Sequence, residues 1–303
     1  AYRVDIGLSD RRLCKTRLHS LVHAHGVLPF SFHVCGLQMP LHPVSGGGFS
    51  DIYRGEFNKE AVCIKVLRIF TTEFQLNKLY KELAREVLIW KELSHPNVLP
   101  LLGIDLTARK LSCCLVFPWM KNGNVTAFLQ RHPDFNKSSL VRDIANGLEY
   151  LHALDPPVVH GDIKGANILI NDAGQACLAE FGLTLAMESQ AFSTSSEGGT
   201  RGTLRWLAPE ILDSSRKTDR QASLTKRDIY AFGCTILEIY TGGPPFPNLK
   251  DVEVVHHVVT KRERPEIPSS AVAQLKDLHA LLKRCWHNNP RERPNATEIS
   301  NVL

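Results

Sequence analysis

No apolar run in this chain approaches the ~20 residues that a bilayer span requires, so no membrane-crossing helix is expected. No C-x-x-C pair occurs. The eight cysteines, at 14, 35, 63, 113, 114, 177, 234 and 285, are too sparse for the disulfide framework of a small secreted domain. Scattered and mostly flanked by apolar residues, they read as reduced core thiols and point to a cytoplasmic or nuclear setting. No basic run is dense enough to argue for nucleic acid. The net charge of +5 fits an anionic ligand without requiring one, and a solvated basic surface is the commoner explanation. No internal repeat and no signal-peptide pattern are present. The chain opens on Ala-Tyr-Arg rather than Met, so it is expected to be part of a longer protein with regulatory domains outside it.

What is present is room for one large core or two lobes: 303 residues, 43% hydrophobic and 22% charged. Leu13, Leu18, Leu21, Val22 and His25 recur at roughly helical spacing over 10–25, with Asp10 as a candidate cap. Phe30 to Val34 alternates like a short strand. Val44 to Val66 reads as strand, Gly-rich turn, strand, turn, strand. A strongly helical stretch over 72–93 puts Leu76, Leu79, Leu83, Val87 and Trp90 on one face, and Pro96 stops it. Strands follow near 99–104 and 111–117, and Pro118 to Asn124 is rich in turn formers. Helical patterns then occupy 125–131, 138–153, 225–241, 251–259 and 271–286, with an irregular region over 154–223. The sum is an α+β protein with a helical extension (1–38), a β-rich lobe (39–117) and a helical lobe (118–303), with a cleft between the lobes.

The chemistry concentrates in His160-Gly161-Asp162-Ile163-Lys164-Gly165-Ala166-Asn167. A carboxylate, a cation two residues on and an amide three beyond supply what phosphoryl transfer needs: a group at the attacking hydroxyl, a charge near the moving phosphate and an oxygen for a metal. Upstream, Ser45-Gly46-Gly47-Gly48-Phe49-Ser50 forms a flexible turn whose backbone N–H groups could approach phosphate oxygens. A plain hairpin turn is the simpler account of that segment alone. Lys65 ends an apolar strand, where a buried ammonium needs anionic partners.

These motifs resemble the protein kinase domain, and the short signatures His95-Pro96-Asn97-Val98-Leu99-x-Leu101-Leu102-Gly103 and Cys285-Trp286 look most like its tyrosine-kinase-like group. The resemblance spans about residues 40–303 and implies a bilobal kinase fold that binds ATP with Mg²⁺, Mn²⁺ being an alternative. It makes Asp162 the catalytic base, Lys164 a neutraliser of the γ-phosphate, and Asn167 and Glu180 the metal ligands. Lys65, in Val62-Cys63-Ile64-Lys65, would hold phosphates and pair with Glu86, Glu82 being the nearest rival. Ser45, Gly46, Gly47, Gly48, Phe49, Ser50, Ile52, Cys63, Phe117, Pro118, Met120 and Leu169 would line the nucleotide. The hinge falls at 117–121 and the activation segment at 180–210. Ala208-Pro209-Glu210 and Arg293 would form a structural pair, and Asp228 would open the central helix of the helical lobe. Lys164 and Gly202-Thr203-x-x-Trp206 follow the Ser/Thr pattern, so the implied partner is a protein substrate with Ser or Thr hydroxyls.

Two departures matter. Gly161 stands where regulated kinases have the Arg that receives an activation-loop phosphate, so weak dependence on loop phosphorylation (Ser193, Thr194, Ser195, Ser196, Thr200) is expected. Glu180-Phe181-Gly182 replaces D-F-G. The extra methylene adds roughly 1.5 Å of reach, and Mg²⁺ demands near-ideal octahedral geometry. Misplacement by ~1 Å can cost about a hundredfold in rate. Two hypotheses follow: an active Ser/Thr kinase, or a pseudokinase that binds nucleotide and scaffolds partners.

Overall fold

A computed structural model describes residues 8–47, 50–68, 73–106, 113–180, 203–213 and 224–303. The chain divides into two compact units, Ala1–Ser94 with Pro100–Trp119, and His95–Leu99 with Met120–Leu303.

The first unit begins with helix α1 (Leu8–His25). Gly26 ends it at φ +69°, its N–H bonding the Val22 carbonyl at 2.8 Å, the left-handed position that glycine fills at helix ends. A 3₁₀ turn over Phe30–Phe32 and a bridge from His33 to Ile104 replace the short strand suggested by alternation over Phe30–Val34. The reason is local. The N–H groups of Phe32 and His33 are satisfied within the turn, and Phe30 stays 81% exposed, so the alternation has no buried face to serve.

Five antiparallel strands follow: β1 (Ser45–Gly46), β2 (Ser50–Phe57), β3 (Glu60–Leu67), β4 (Gly103–Asp105) and β5 (Cys114–Pro118). They lie in the order β1-β2-β3-β5-β4. Asn58 and Lys59, both at positive φ, join β2 to β3; two such residues give a hairpin turn whose twist matches the strands. Tyr53, Val62, Ile64, Val66, Cys114 and Val116 make the core on one sheet face. Between β3 and β4 runs α2 (Glu73–Glu92). Leu83, Val87 and Trp90 are buried as the periodicity requires. A second stripe, Ala84 and Leu88, is also buried, because Val22 of α1 lies over it.

The second unit holds α3 (Val125–Arg131), capped by Asn124, and α4 (Lys137–His152), capped by Asn136. A hairpin of β6 (Ile168–Ile170) and β7 (Ala176–Leu178) follows. It sits in the region the sequence leaves irregular, since three-residue strands are too short to show alternation. Asn97 fastens this hairpin: its Nδ2 donates to the Ala176 carbonyl at 2.9 Å, and its carbonyl accepts from Leu178 N–H at 2.9 Å. After α5 (Pro209–Leu212) comes α6 (Leu224–Thr241), buried from Asp228 to Ile239. The remainder is α7 (Asp251–Val255), a π turn over His256–Thr260, α8 (Ser269–Val272), α9 (His279–Cys285) and α10 (Ala296–Ser300). The single helix expected over 271–286 is therefore broken. Bonds from Leu278 N–H to the Leu275 carbonyl and from His279 N–H to that of Lys276 span three residues and interrupt the helical ladder.

One ion pair pins α5 within this unit. Arg293 meets Glu210 bidentately, Nη1–Oε1 and Nη2–Oε2 both at 2.7 Å, with both side chains fully buried. Its Nε and Nη1 also donate to the His287 and Lys226 carbonyls, and the guanidinium lies 5.2 Å over the Tyr230 ring. Planar fork geometry suits arginine to this position. Arg293→Met leaves Glu210 buried and uncompensated; it is expected to lower stability by about 3–5 kcal/mol, read as a shift in the denaturant midpoint at unchanged slope.

Candidate active site

Of the residues implicated by sequence, the first unit carries Ser45 and Gly46 on β1, Gly47 beyond it, Ser50 and Ile52 on β2, Cys63 and Lys65 on β3, Glu86 on α2, and Phe117 and Pro118 on β5. Gly48 and Phe49 lie outside the described residues. A Cβ at Gly47 would meet nothing within 4 Å, whereas one at Gly46 would lie 2.8 Å from Asp51 Oδ1. The space at Gly47 is open, and at Gly46 it is taken by the Asp51 side chain across the strand pair. Lys65 stands opposite Ile52 on β2 and Leu115 on β5. It is buried, which holds its ammonium on a fixed strand. The Phe117 ring packs 4.7 Å from Trp90 of α2.

The Lys65–Glu86 ion pair that the resemblance implies is not formed. Glu86 makes no ion pair among the described residues, and its Oε2 is buried without a hydrogen-bond partner. Burial, with Glu82 one turn away, pushes its carboxyl up to about 8, while Lys65 pulls more weakly the other way. Glu86 is therefore largely protonated at neutral pH.

The second unit carries Met120, Asp162, Lys164, Asn167, Leu169 on β6, and Glu180. The loop before β6 is strung between buried carboxylates. Asp228, at the start of α6 and 1% exposed, accepts from His160 N–H and Gly161 N–H, both at 2.8 Å, and lies 2.9 Å from His152 Nε2. His160 is completely buried, and burial lowers its pKa, so the ring is neutral. Its Nδ1 accepts from Asp162 N–H at 3.2 Å, which assigns the ring proton to Nε2. Gly161 sits at φ +82°. The glycine that costs the loop a phosphate-binding arginine is also the residue best able to adopt this conformation.

From that anchor the reactive groups converge. Asp162 Oδ2 accepts from Asn167 Nδ2 at 2.7 Å and from Lys164 Nζ at 2.8 Å. Lys164 Nζ also donates to Thr203 Oγ1 at 2.5 Å. Asn167 Nδ2 donates a second time, to the Asp162 carbonyl at 2.8 Å. Asp162 Oδ1 is buried without a partner. Sequence reasoning missed Glu238 of α6. Its Oε2 accepts from Gly165 N–H at 2.8 Å and Trp206 Nε1 at 3.0 Å. Burial raises its pKa against these donors. A carboxylate inside the apolar run Ile236-Leu237-Glu238-Ile239 was the available signal. Gly165 has no room for a Cβ, which would lie 2.6 Å from both Glu238 Oε1 and Thr126 Oγ1.

The hairpin brings Glu180 into register with this loop. Ile168 pairs with Leu178, and Ala179 N–H donates to the Asn167 carbonyl at 3.0 Å, so Glu180 follows directly. Its φ is +65°, a left-handed conformation that costs a non-glycine residue roughly 1–2 kcal/mol. Phe181, Gly182 and the activation-segment hydroxyls from Ser193 to Thr200 lie outside the described residues. Asn167 spends its amide N–H groups on Asp162, leaving Oδ1 as an acceptor. Asn167 Oδ1 and the Glu180 carboxylate are hard oxygens, the donor type that divalent metals such as Mg²⁺ take.

A β-rich unit with a strand lysine and a helical unit whose loop gathers Asp, Lys and Asn are features of the protein kinase class. The description "protein tyrosine and serine/threonine kinase" matches residues 41–303, and the chain belongs to that family. The family uses ATP and a divalent metal. The chain is 33% identical over 265 residues to the serine/threonine/tyrosine-protein kinase HT1 of Arabidopsis thaliana, covering 86% of this chain and 64% of that protein. It is 30% identical over 266 residues to the serine/threonine-protein kinase CTR1 of the same plant, covering 86% and 30%. It is 31% identical over 278 residues to the probable serine/threonine-protein kinase pats1 of Dictyostelium discoideum, covering 86% and 8%. The chain therefore spans less than two thirds of the length of each of these relatives.

The carboxyl of Glu86 gives a stability signature. Below the ordinary carboxylate pKa of 4.5 both folded and unfolded states are protonated. Between 4.5 and about 8 the folded state keeps a proton the unfolded state has lost, so stability falls as pH rises, and the loss is complete above about 8. Glu86→Gln is expected to flatten this decline between pH 5 and 8, measured by urea unfolding of both chains. Gly161→Val forces a β-branched residue to φ +82° and is expected to cost at least about 1–2 kcal/mol, read in the same assay.

Proposed function

We propose that this chain is a protein serine/threonine kinase, transferring the γ-phosphoryl group of ATP to Ser or Thr hydroxyls of a protein substrate. The observation that carries this reading is the asymmetry of Asp162. One carboxylate oxygen is saturated by Asn167 and Lys164, and the other is buried with no partner. A buried acceptor left open is costly unless a ligand completes it, and a substrate hydroxyl would do so. Asp162 then orients the hydroxyl and takes its proton as the hydroxyl oxygen bonds to the γ-phosphorus and the bridging P–O bond to the β-phosphate breaks, ADP leaving. Lys164, held by Asp162 and Thr203, stabilises charge on the transferred group. Lys65 would hold phosphates from the β-rich unit, and Asn167 with Glu180 would hold Mg²⁺, which would neutralise phosphate charge when bound. Gly46, Gly47, Ile52, Cys63, Phe117, Pro118, Met120 and Leu169 belong to the same nucleotide reading, the hinge contributing the Pro118 carbonyl and the Met120 N–H. An intracellular setting is part of it, supported by eight free cysteines. Burial pushes the thiols of Cys113 and Cys285 up to about 12 and that of Cys177 to about 11, which suppresses the thiolate that disulfide chemistry requires.

The pseudokinase is the second reading, and the strained, lengthened Glu180 favours it. The two separate in one assay of phosphate incorporation into a generic protein substrate, with Mg²⁺ and with Mn²⁺. The native chain is expected to exceed Asp162→Asn by at least about a hundredfold, as removal of a catalytic base does. Glu180→Asp should raise the rate further with Mg²⁺, since Asp both shortens the reach and tolerates the left-handed backbone better. If the native chain matches Asp162→Asn and only Glu180→Asp transfers phosphate, the pseudokinase reading holds.

A further inference from the structure

The short 3₁₀ turn Leu204–Trp206, with Thr203 before it, is anchored on two sides. Toward the reactive loop, Thr203 Oγ1 accepts from Lys164 Nζ at 2.5 Å, and Trp206 Nε1 donates to Glu238 Oε2 at 3.0 Å. Arg205, a position that the Gly202-Thr203-x-x-Trp206 pattern leaves open, faces the other way. Its Nη1 donates to the Pro245 and Phe246 carbonyls at 3.2 and 2.5 Å. Its Nη2 donates to the Leu249 carbonyl at 2.6 Å and lies 3.0 Å from Asp251 Oδ1 at the start of α7. Three carbonyls and a carboxylate thus converge on one guanidinium.

The loop over 245–251 is shaped around that cation. Pro245 and Phe246 are buried, and Phe246 sits at φ +54°, a costly conformation for a non-glycine residue. Arginine presents its donors as a rigid planar fork that can serve acceptors on two nitrogens at once, whereas the lysine ammonium is one compact point. Beside the fork, Leu204 packs on the apolar cluster of Phe246, Val254 and Val258. The consequence reaches Lys164. An ammonium has three N–H groups, and Asp162 Oδ2 and Thr203 Oγ1 take two of them, which fixes the direction of the third. We propose that Arg205 is a positioning residue for phosphoryl transfer: by fastening the 203–206 turn to the 245–251 loop it keeps Thr203 against Lys164, and so sets where Lys164 presents its remaining N–H. The effect on transfer rests on the kinase reading above; the hold on Lys164 does not.

The test has one readout for each. Acetylation of Lys164 by a water-soluble N-hydroxysuccinimide ester, quantified by peptide mass spectrometry, reports the hold without turnover. Arg205→Lys keeps the charge and loses the fork; it should raise the Lys164 acetylation rate by at least about threefold, and Thr203→Ala should do the same. Asp251→Ala removes only the carboxylate at the helix start and should raise the rate by a smaller factor; thermal unfolding confirms that each variant is folded. In transfer to a protein substrate, Arg205→Lys should lower kcat by at least about fivefold, a partial misplacement, with KM for ATP unchanged. In a Thr203→Ala background the same substitution should cost nothing further, because both act through one contact. Unchanged Lys164 acetylation in folded Arg205→Lys overturns the proposal, and Asp251→Ala decides in the same way if Arg205→Lys does not fold. Losses in kcat that multiply in the double variant also overturn it, since a merely structural role of Arg205 would be independent of Thr203. Faster acetylation with no transfer by any chain supports the hold on Lys164 and removes the kinase reading instead.

Discussion

Everything chemical in the helical unit hangs from the buried carboxylate of Asp228. It takes two backbone N–H groups from one loop and faces a histidine from α4. A carboxylate so deeply buried is tolerable only when its oxygens are occupied, and the groups that occupy it are those that fix the path of His160 and Gly161. Asp162 follows within two residues. Its position is thus a consequence of a bond made at a different helix, 68 residues along the chain. Glu238, ten residues on from Asp228 in α6, repeats the device for Gly165. One central helix therefore holds both ends of the reactive loop through buried acceptors.

The β-rich unit works on the opposite principle. There the lysine is carried by a strand whose register with its neighbours is fully specified, while its acidic counterpart rides on a helix held by side-chain packing and by bonds from Arg85 and Lys91 to backbone carbonyls. Helix α2 packs Trp90 against Phe117 of β5 on one face and Ala84 and Leu88 against Val22 of α1 on another. Glu86, half-buried, keeps one buried oxygen without a hydrogen-bond partner. Its protonation near neutral pH is the electrostatic consequence of a desolvated carboxyl beside Glu82.

Much of this was legible in the chain itself. The spacing of Asp162, Lys164 and Asn167 and the strand ending in Lys65 follow from local pattern and residue chemistry, because a motif confined to one loop or strand carries its own geometry; the pairing of Glu210 with Arg293, 83 residues apart, came only from the family resemblance. The reading of Phe30–Val34 as a strand failed because alternation without a buried face means nothing. The helix over 271–286 failed because apolar periodicity does not reveal where the hydrogen-bond ladder breaks. The hairpin of β6 and β7 was invisible because three residues hold no period. The role of Gly161 changed most: in sequence it is a missing arginine, and in the structure it is also a backbone conformation that glycine meets best.

The sequence alone determined which groups can do chemistry, and that the chain is a kinase-like α+β protein, since residue identity and short-range spacing suffice for both. Only the tertiary structure decided that Asp162 keeps one oxygen open, that Glu180 sits in a left-handed conformation, and that Glu86 keeps a buried oxygen without a hydrogen-bond partner. Those facts depend on burial and on contacts between segments tens of residues apart. Desolvation and packing, unlike spacing, exist only once the chain has closed upon itself.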